Sequence, residues 1–328
     1  MHLPPVKKPY FSTNPQWELF WKIFLFLLAV FCAVFLIADW PRTRSIELIC
    51  TLQKWRSGPV EILFKGFTFL GDDEFFMGFF SVLMWNVNKA LGFWGAFVLL
   101  SSAVFSNLVK DLTMLDRPSI EGVVHPAGSY AFPSGHTLTA VTVWGYLAVR
   151  LKNNPCRIWA VVAVVMIALS RMVLGYHFLG DILGGITFGL AFLLFFIWLS
   201  GYLYEKGWLD KISWPFLVLM SIVLPALLTV VLPGVDPPKV LGLLAGASCG
   251  YVIEKEKVGS SVEGPFAARM LKVVIGLGVL FGLIMGLSGY LPSSVPTLGF
   301  IRYGLGGLWV TLGAPALFVA LKLARRNI

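Results

Sequence analysis

The chain has 328 residues, 57% of them hydrophobic and 13% charged, with a formal net charge of +9. A soluble domain carries roughly a quarter charged residues, so this balance excludes an ordinary soluble fold and makes lipid the expected solvent. The Lys and Arg residues fall mostly between apolar runs, as membrane orientation requires, which sets nucleic-acid binding aside.

In chain order, Lys7 and Lys8 precede an apolar run from Trp17 to Trp40, too long for a cleaved signal and read as a retained first span. Ten spans are expected, at 17–39, 73–88, 91–109, 134–152, 157–175, 179–204, 213–233, 239–254, 268–290 and 300–323. The fold class is therefore all-α and integral to the membrane: a polytopic helical bundle of about ten helices with a six-helix core before residue 205. Between the first two spans, 41–71 carries Arg42, Arg44, Lys54, Arg56 and Lys65 and is expected to hold amphipathic helix near the interface. The second span is short and opens on Asp72, Asp73 and Glu74, and the Asn86–Gly92 turn makes it a hairpin with the third. A break at Glu205-Lys206-Gly207 divides the chain into a helical core, 1–204, where the polar chemistry concentrates and catalysis is expected, and an extension of about four helices, 205–328. Cys32, Cys50, Cys156 and Cys249 show neither disulfide nor metal-ligand spacing, and no cofactor is expected.

With Lys7 and Lys8 inside, the count puts both termini and the short basic loops (Lys89; Arg150, Lys152 and Arg157; Lys206 and Lys211; Lys255, Lys257, Arg269 and Lys272) on the cytoplasmic side. Three polar clusters then fall together on the opposite face: Lys110 to Pro118, Pro133 to His136, and Ser170 to Asp181. Lys110, Arg117 and Arg171 place three cations at one membrane face, where they are costly unless they meet an anion, and Arg matches phosphate geometry. Ser134 and Gly135 precede a helix, whose free N–H groups favour a bound phosphate. His177 and Asp181 lie four apart and share a helical face, so the carboxylate can fix the imidazole tautomer and leave the other nitrogen to attack. His136 is suited to protonating a leaving alkoxide. Together these residues suit phosphoryl transfer through a phosphohistidine, without a metal.

These residues resemble the type 2 phosphatidic acid phosphatase superfamily, whose signature reads K-x6-RP, PSGH and SR-x5-H-x3-D. Every fixed position is matched by Lys110 to Pro118, Pro133 to His136 and Ser170 to Asp181. The resemblance implies Lys110, Arg117, Ser134, Gly135 and Arg171 as the phosphate cradle, His136 as acid, His177 as nucleophile and Asp181 as its orienting partner. Gly71 to Phe76, Trp85-Asn86 and Gly128 to Phe132 are similar to the sphingosine-phosphate and dolichyl-diphosphate phosphatases. Gly135 departs from that branch, which tends to have Thr there, and is commoner in bacterial lipid phosphatases. The expected substrate is a lipid phosphate or diphosphate. A phosphotransferase using the same site, and a protein that binds or transports lipid phosphate without turnover, are the competing functions.

Glu121, His125 and Tyr130 lie in the loop between the first two motifs, where a solvated loop or headgroup contact suits them. In the extension, Gly242, Gly246 and Gly250, and again Gly278, Gly282 and Gly286, recur every four residues. Such series suit close helix packing, within the chain or as a homodimer seam. Glu254 is expected to reach the interface from the inner end of its span, and Arg302 to snorkel at the outer start of the last.

Overall fold

The computed structural model describes residues 40–54, 57–119, 130–151, 153–232 and 236–326. The expected span at 17–39, with Lys7, Lys8 and Cys32, lies outside the described residues, as do Arg56, Lys152, Glu121, His125, Gly128 and Ser129. The helices are α1 (Trp40–Lys54), α2 (Gly58–Phe69), α3 (Asp73–Asn86), α4 (Lys89–Thr113), α5 (Gly135–Leu151), α6 (Asn154–Val173) and α7 (Leu179–Glu205). There follow α8 (Trp208–Lys211), α9 (Trp214–Val231), α10 (Asp236–Ile253), α11 (Phe266–Gly286), α12 (Pro296–Leu308) and α13 (Ala314–Ala320). π-helical turns at Glu254–Val258 and Trp309–Gly313 extend α10 and join α12 to α13. The described residues hold no strand beyond an isolated bridge between Ser260 and Arg326.

Each expected span from 73 onward coincides with a helix, and 41–71 holds α1 and α2. Six described helices are long and apolar enough to cross a membrane: α4, α6, α7, α9, α11 and the continuous Pro296–Ala320. The expected ten therefore include three weaker candidates. At 1.5 Å per residue, the 14 residues of α3 and the 17 of α5 fall short of a hydrocarbon core about 30 Å thick. α10 has 18 residues, but they include Asp236, Lys239, two prolines and three glycines. On α9 the one buried residue is Pro225, while Leu224, Leu227 and Val230 are exposed, so its apolar surface is of the kind that faces lipid.

By packing the chain forms two compact units. One joins the described residues up to Phe75 with Phe105–Lys206; the other joins Phe76–Val104 with Gly207–Ile328. Phe76–Val104, most of the α3–α4 hairpin, is thus grouped with the later helices, while the last turns of α4, from Phe105, belong to the first unit.

In the first unit α5 is the hub, packed against α6 and α7, while α2 lies on α6 and α1 touches both α6 and α7. Glycines on α7 permit the α5–α7 approach: a Cβ on Gly189 would sit 2.9 Å from the Leu138 carbonyl oxygen, and one on Gly185 2.8 Å from Thr137 Cβ. The N-terminus of α6 is capped by Asn153, whose Oδ1 accepts from the Cys156 N–H at 2.8 Å.

In the second unit α10 and α12 are the closest pair. A Cβ on Gly242, Gly246 or Gly307 would strike facing backbone at 2.1, 1.9 and 2.4 Å, so the Gly242–Gly246–Gly250 series is a seam within the chain. Gly278, Gly282 and Gly286 have nothing within 4 Å of such a Cβ. The hairpin is anchored here by Trp85, whose Nε1 donates to the Val310 carbonyl at 2.8 Å and whose ring abuts Gly276, and by Phe93 stacked on Tyr251. Glu254 is buried, contrary to its expected reach toward the interface. It accepts from the Lys89 ammonium and from the backbone N–H and hydroxyl of Ser260. Arg302 is buried as well, with its guanidinium 5.1 Å from the Tyr303 ring centre.

Candidate active site

All three clusters lie in the first unit. The first sits at the end of α4, which stops after Thr113 as Met114 takes a left-handed conformation at φ 49°. The loop beyond is pinned to the second cluster: the Ala131 N–H donates to the Leu115 carbonyl (2.7 Å), and Thr113 Oγ1 donates to the Phe132 carbonyl (3.0 Å). The second cluster is pinned to the third, since the Ser134 N–H donates to the Asp181 carbonyl at 2.9 Å.

Ser134 precedes α5 and its carbonyl accepts the Leu138 N–H, so Gly135 and His136 occupy the first turn, where backbone N–H groups lack intrahelical acceptors. Gly135 lies close to the cationic cluster: a Cβ there would sit 3.3 Å from Lys110 Nζ and 3.6 Å from Ser106 Oγ. Lys110 and the α5 N-terminus are thereby brought together. Ser106 Oγ is buried without a hydrogen-bond partner.

The third cluster is shaped by how α6 ends. Gly175 at φ 79° adopts the left-handed turn that favours glycine, and the Tyr176 and His177 N–H groups donate back to the Arg171 carbonyl at 2.9 and 3.3 Å. This turn folds His177 back toward Arg171. Three residues into the next helix, Asp181 Oδ2 accepts the Phe178 N–H at 2.9 Å, so the carboxylate also caps α7.

The two imidazoles have different partners. His177 is 1% exposed, with Nδ1 facing Asp181 Oδ2 at 3.4 Å. Its Nε2 lies 3.2 Å from Arg117 Nη1, which also donates to the Tyr176 carbonyl at 3.3 Å. A guanidinium only donates, so Nε2 is the acceptor and the ring proton sits on Nδ1, toward Asp181. Burial first, then the charges of Arg117, Arg171 and Lys110, hold this imidazole well below the ordinary histidine pKa, and it is neutral. Burial also lowers the Arg117 pKa, with Asp181 opposing. His136 Nε2 instead donates to Asp72 Oδ1 at 2.7 Å. Arg171 donates to Thr68 Oγ1 at 2.6 Å and stacks over the Tyr176 ring at 4.4 Å, while its Nε is buried without a partner.

The sequence-expected residues thus converge: Arg117 on His177, His177 on Asp181, Asp181 on Ser134, Gly135 on Lys110, and Arg171 on the turn that carries His177. Residues 91–205 match the family model described as the PAP2 superfamily, and residues 238–326 match its companion, the transmembrane extension of PAP2 superfamily phosphatases. The chain belongs to the PAP2 superfamily. Within the PAP2 region lie all eight residues named from the three motifs, whereas Thr68 and Asp72 lie before it.

Phosphatidylglycerophosphatase B of Bacillus subtilis is 28% identical over 207 residues, covering 58% of this chain and 95% of that protein. Lipid phosphate phosphatase delta of Arabidopsis thaliana is 26% identical over 175 residues, 48% of this chain and 42% of that one. Sphingosine-1-phosphate phosphatase 2 of Mus musculus is 27% identical over 134 residues, 38% of each chain. The chain therefore spans less than half the length of the latter two relatives. A solved PAP2-type phosphatidylglycerolphosphate phosphatase of Bacillus subtilis overlaps with a TM-score of 0.46 at 23% identity, covering 58% of this chain and 96% of that one.

Sequence reasoning missed Thr68, Ser106 and Tyr176, and it named Asp72 only at the start of the second span and within a resemblance, with no role at the site. Ser106 lies one helical turn before Lys110, a spacing that makes it legible. Thr68 carries no such signal. Among the described residues no group of three His, Cys, Asp or Glu side chains could hold a metal ion.

Proposed function

We propose that this PAP2 membrane protein is a lipid phosphate phosphatase that works through a phosphohistidine on His177. The observation that carries the reading is the pair of contacts on its ring: Nε2 accepts from Arg117 while Nδ1 faces Asp181. The nucleophilic lone pair is thereby aimed at a cationic group able to hold phosphate oxygens. Arg117, Arg171, Lys110 and the first-turn N–H groups of α5, with Ser134 and Gly135, bind those oxygens and stabilise the charge of the transition state. Nε2 attacks phosphorus as the bond to the lipid oxygen breaks, and Asp181 stabilises the imidazolium character developing at Nδ1–H. His136 gives a proton to the departing oxygen, then takes one from the water that breaks the phosphorus–nitrogen bond. No metal is required by this scheme. The site is proposed to open on the extracytoplasmic face with both termini cytoplasmic, as the loop charges favour.

The test is phosphate release by the full chain in detergent from phosphatidylglycerophosphate, phosphatidic acid, a sphingoid-base phosphate and a polyprenyl diphosphate. Trapping of labelled phosphate in alkaline quench should map to His177. Binding of these lipids without phosphate release would overturn the reading in favour of a carrier. Phosphate found only on an added second lipid would replace hydrolysis with phosphotransfer.

A further inference from the structure

The corner between α2 and α3, residues Thr68 to Asp72, lies outside the PAP2 match yet holds two of the site's side chains. Thr68 Oγ1 accepts from Arg171, and Asp72 Oδ1 accepts from His136 Nε2. Gly71 lets the corner sit against the imidazole, since a Cβ there would be 3.2 Å from His136 Cδ2. Among the described residues Asp72 is the one carboxylate bonded to this ring.

A general acid must carry the proton it delivers. Burial first, then the charges of Arg171 from α6 and Lys110 from α4, oppose a second proton on the His136 ring, and Asp72 from the corner is the group that favours it. His177 adds a neutral ring nearby. Among the described residues Asp72 is the carboxylate that offsets these cations at His136 and holds its Nε2–H.

We infer that Asp72 is a positioning residue for the acid–base histidine, holding Nε2–H and supplying the negative charge that lets His136 become an imidazolium. This rests on the phosphatase reading above. As the phosphorus–oxygen bond to the lipid breaks, the proton on the ring nitrogen that Asp72 does not hold passes to the departing alkoxide oxygen. Neutral His136, its Nε2–H still on Asp72, then takes a proton from water as the water oxygen attacks phosphorus and the bond to His177 breaks. The proton count closes over one turnover.

The test uses a difference in leaving groups. An alkyl phosphate needs a proton on its departing oxygen, whereas p-nitrophenolate leaves without one. Asp72→Asn should lower kcat/KM on phosphatidylglycerophosphate, or on the fastest alkyl ester of the panel, by about 10–100-fold. On p-nitrophenyl phosphate the loss should stay under about threefold. Asp72→Glu, which keeps the charge, should recover most of the alkyl-ester activity and guards against a folding defect in the Asn variant. Equal losses on both esters, or no loss on either, overturn the role of Asp72 while leaving the phosphatase reading standing. A wild type that releases phosphate from neither ester overturns that reading and this one with it.

Discussion

The two units both bury charge, and they do so to opposite effect. In the later unit Glu254 is matched by Lys89 and two Ser260 donors, and Lys272 donates to the carbonyls of Trp85 and Val262 at 2.8 and 3.2 Å. Glu254 is thus matched by an opposite charge and Lys272 is held by two carbonyls, the kind of partnering that lets a buried charge serve as a structural element. In the earlier unit Lys110, Arg117 and Arg171 converge while the carboxylates of Asp181 and Asp72 face imidazoles. The first arrangement is complete without a ligand. The second gathers three cations near a first helical turn and suits an anion.

This contrast can be broken most decisively at His177. His177→Ala should lower phosphate release by about 10⁴-fold or more and abolish phosphoenzyme trapping, with the melting temperature in detergent little changed. Substituting Arg171 by Met should cost about 10²–10³-fold in kcat, because it removes a donor to the developing charge. The later unit should respond the other way. Glu254→Ala leaves Lys89 without its carboxylate and should cost about 3–5 kcal/mol of stability, read as a lower thermal midpoint, with the specific activity of the folded fraction retained. A joint Lys89→Met and Glu254→Met exchange should recover most of that midpoint, which would mark the pair as structural.

The smallest expected effect concerns pH. His177 acts as its neutral form, and its pKa is depressed below the usual 6.5, so the neutral fraction persists as pH falls through that value. The acid limb of kcat/KM should therefore lie below 6.5 in the wild type. Arg117→Met removes one of the charges that repel the second proton, so its limb should move to higher pH. The substrate's own ionisation is common to both profiles, and an unmoved limb would separate His177 from the titration.

Most of the site is legible in the chain because its chemistry is local. His177 and Asp181 are one helical turn apart, Ser134 and Gly135 open a helix, and each motif fits in a dozen residues. What is not legible joins segments distant in sequence. Asp72 meets His136 across 64 positions and Thr68 meets Arg171 across 103, and neither pairing has a periodicity to announce it. The glycine series illustrate the same limit. Gly242–Gly246–Gly250 and Gly278–Gly282–Gly286 read alike, yet one is packed against α12 and the other has open space beside it.

By itself the sequence determined the membrane setting, the helices at the expected spans from 73 onward and the residue types of the site, because apolar runs, helix starts and short motifs depend on near neighbours. The tertiary structure decided which carboxylate serves which histidine and that Glu254 is buried on Lys89. It also decided that Phe76–Val104, most of the α3–α4 hairpin, packs with the later helices. Those outcomes follow from burial and complementary shape, which the chain acquires only when distant segments exclude solvent, or lipid, from one another.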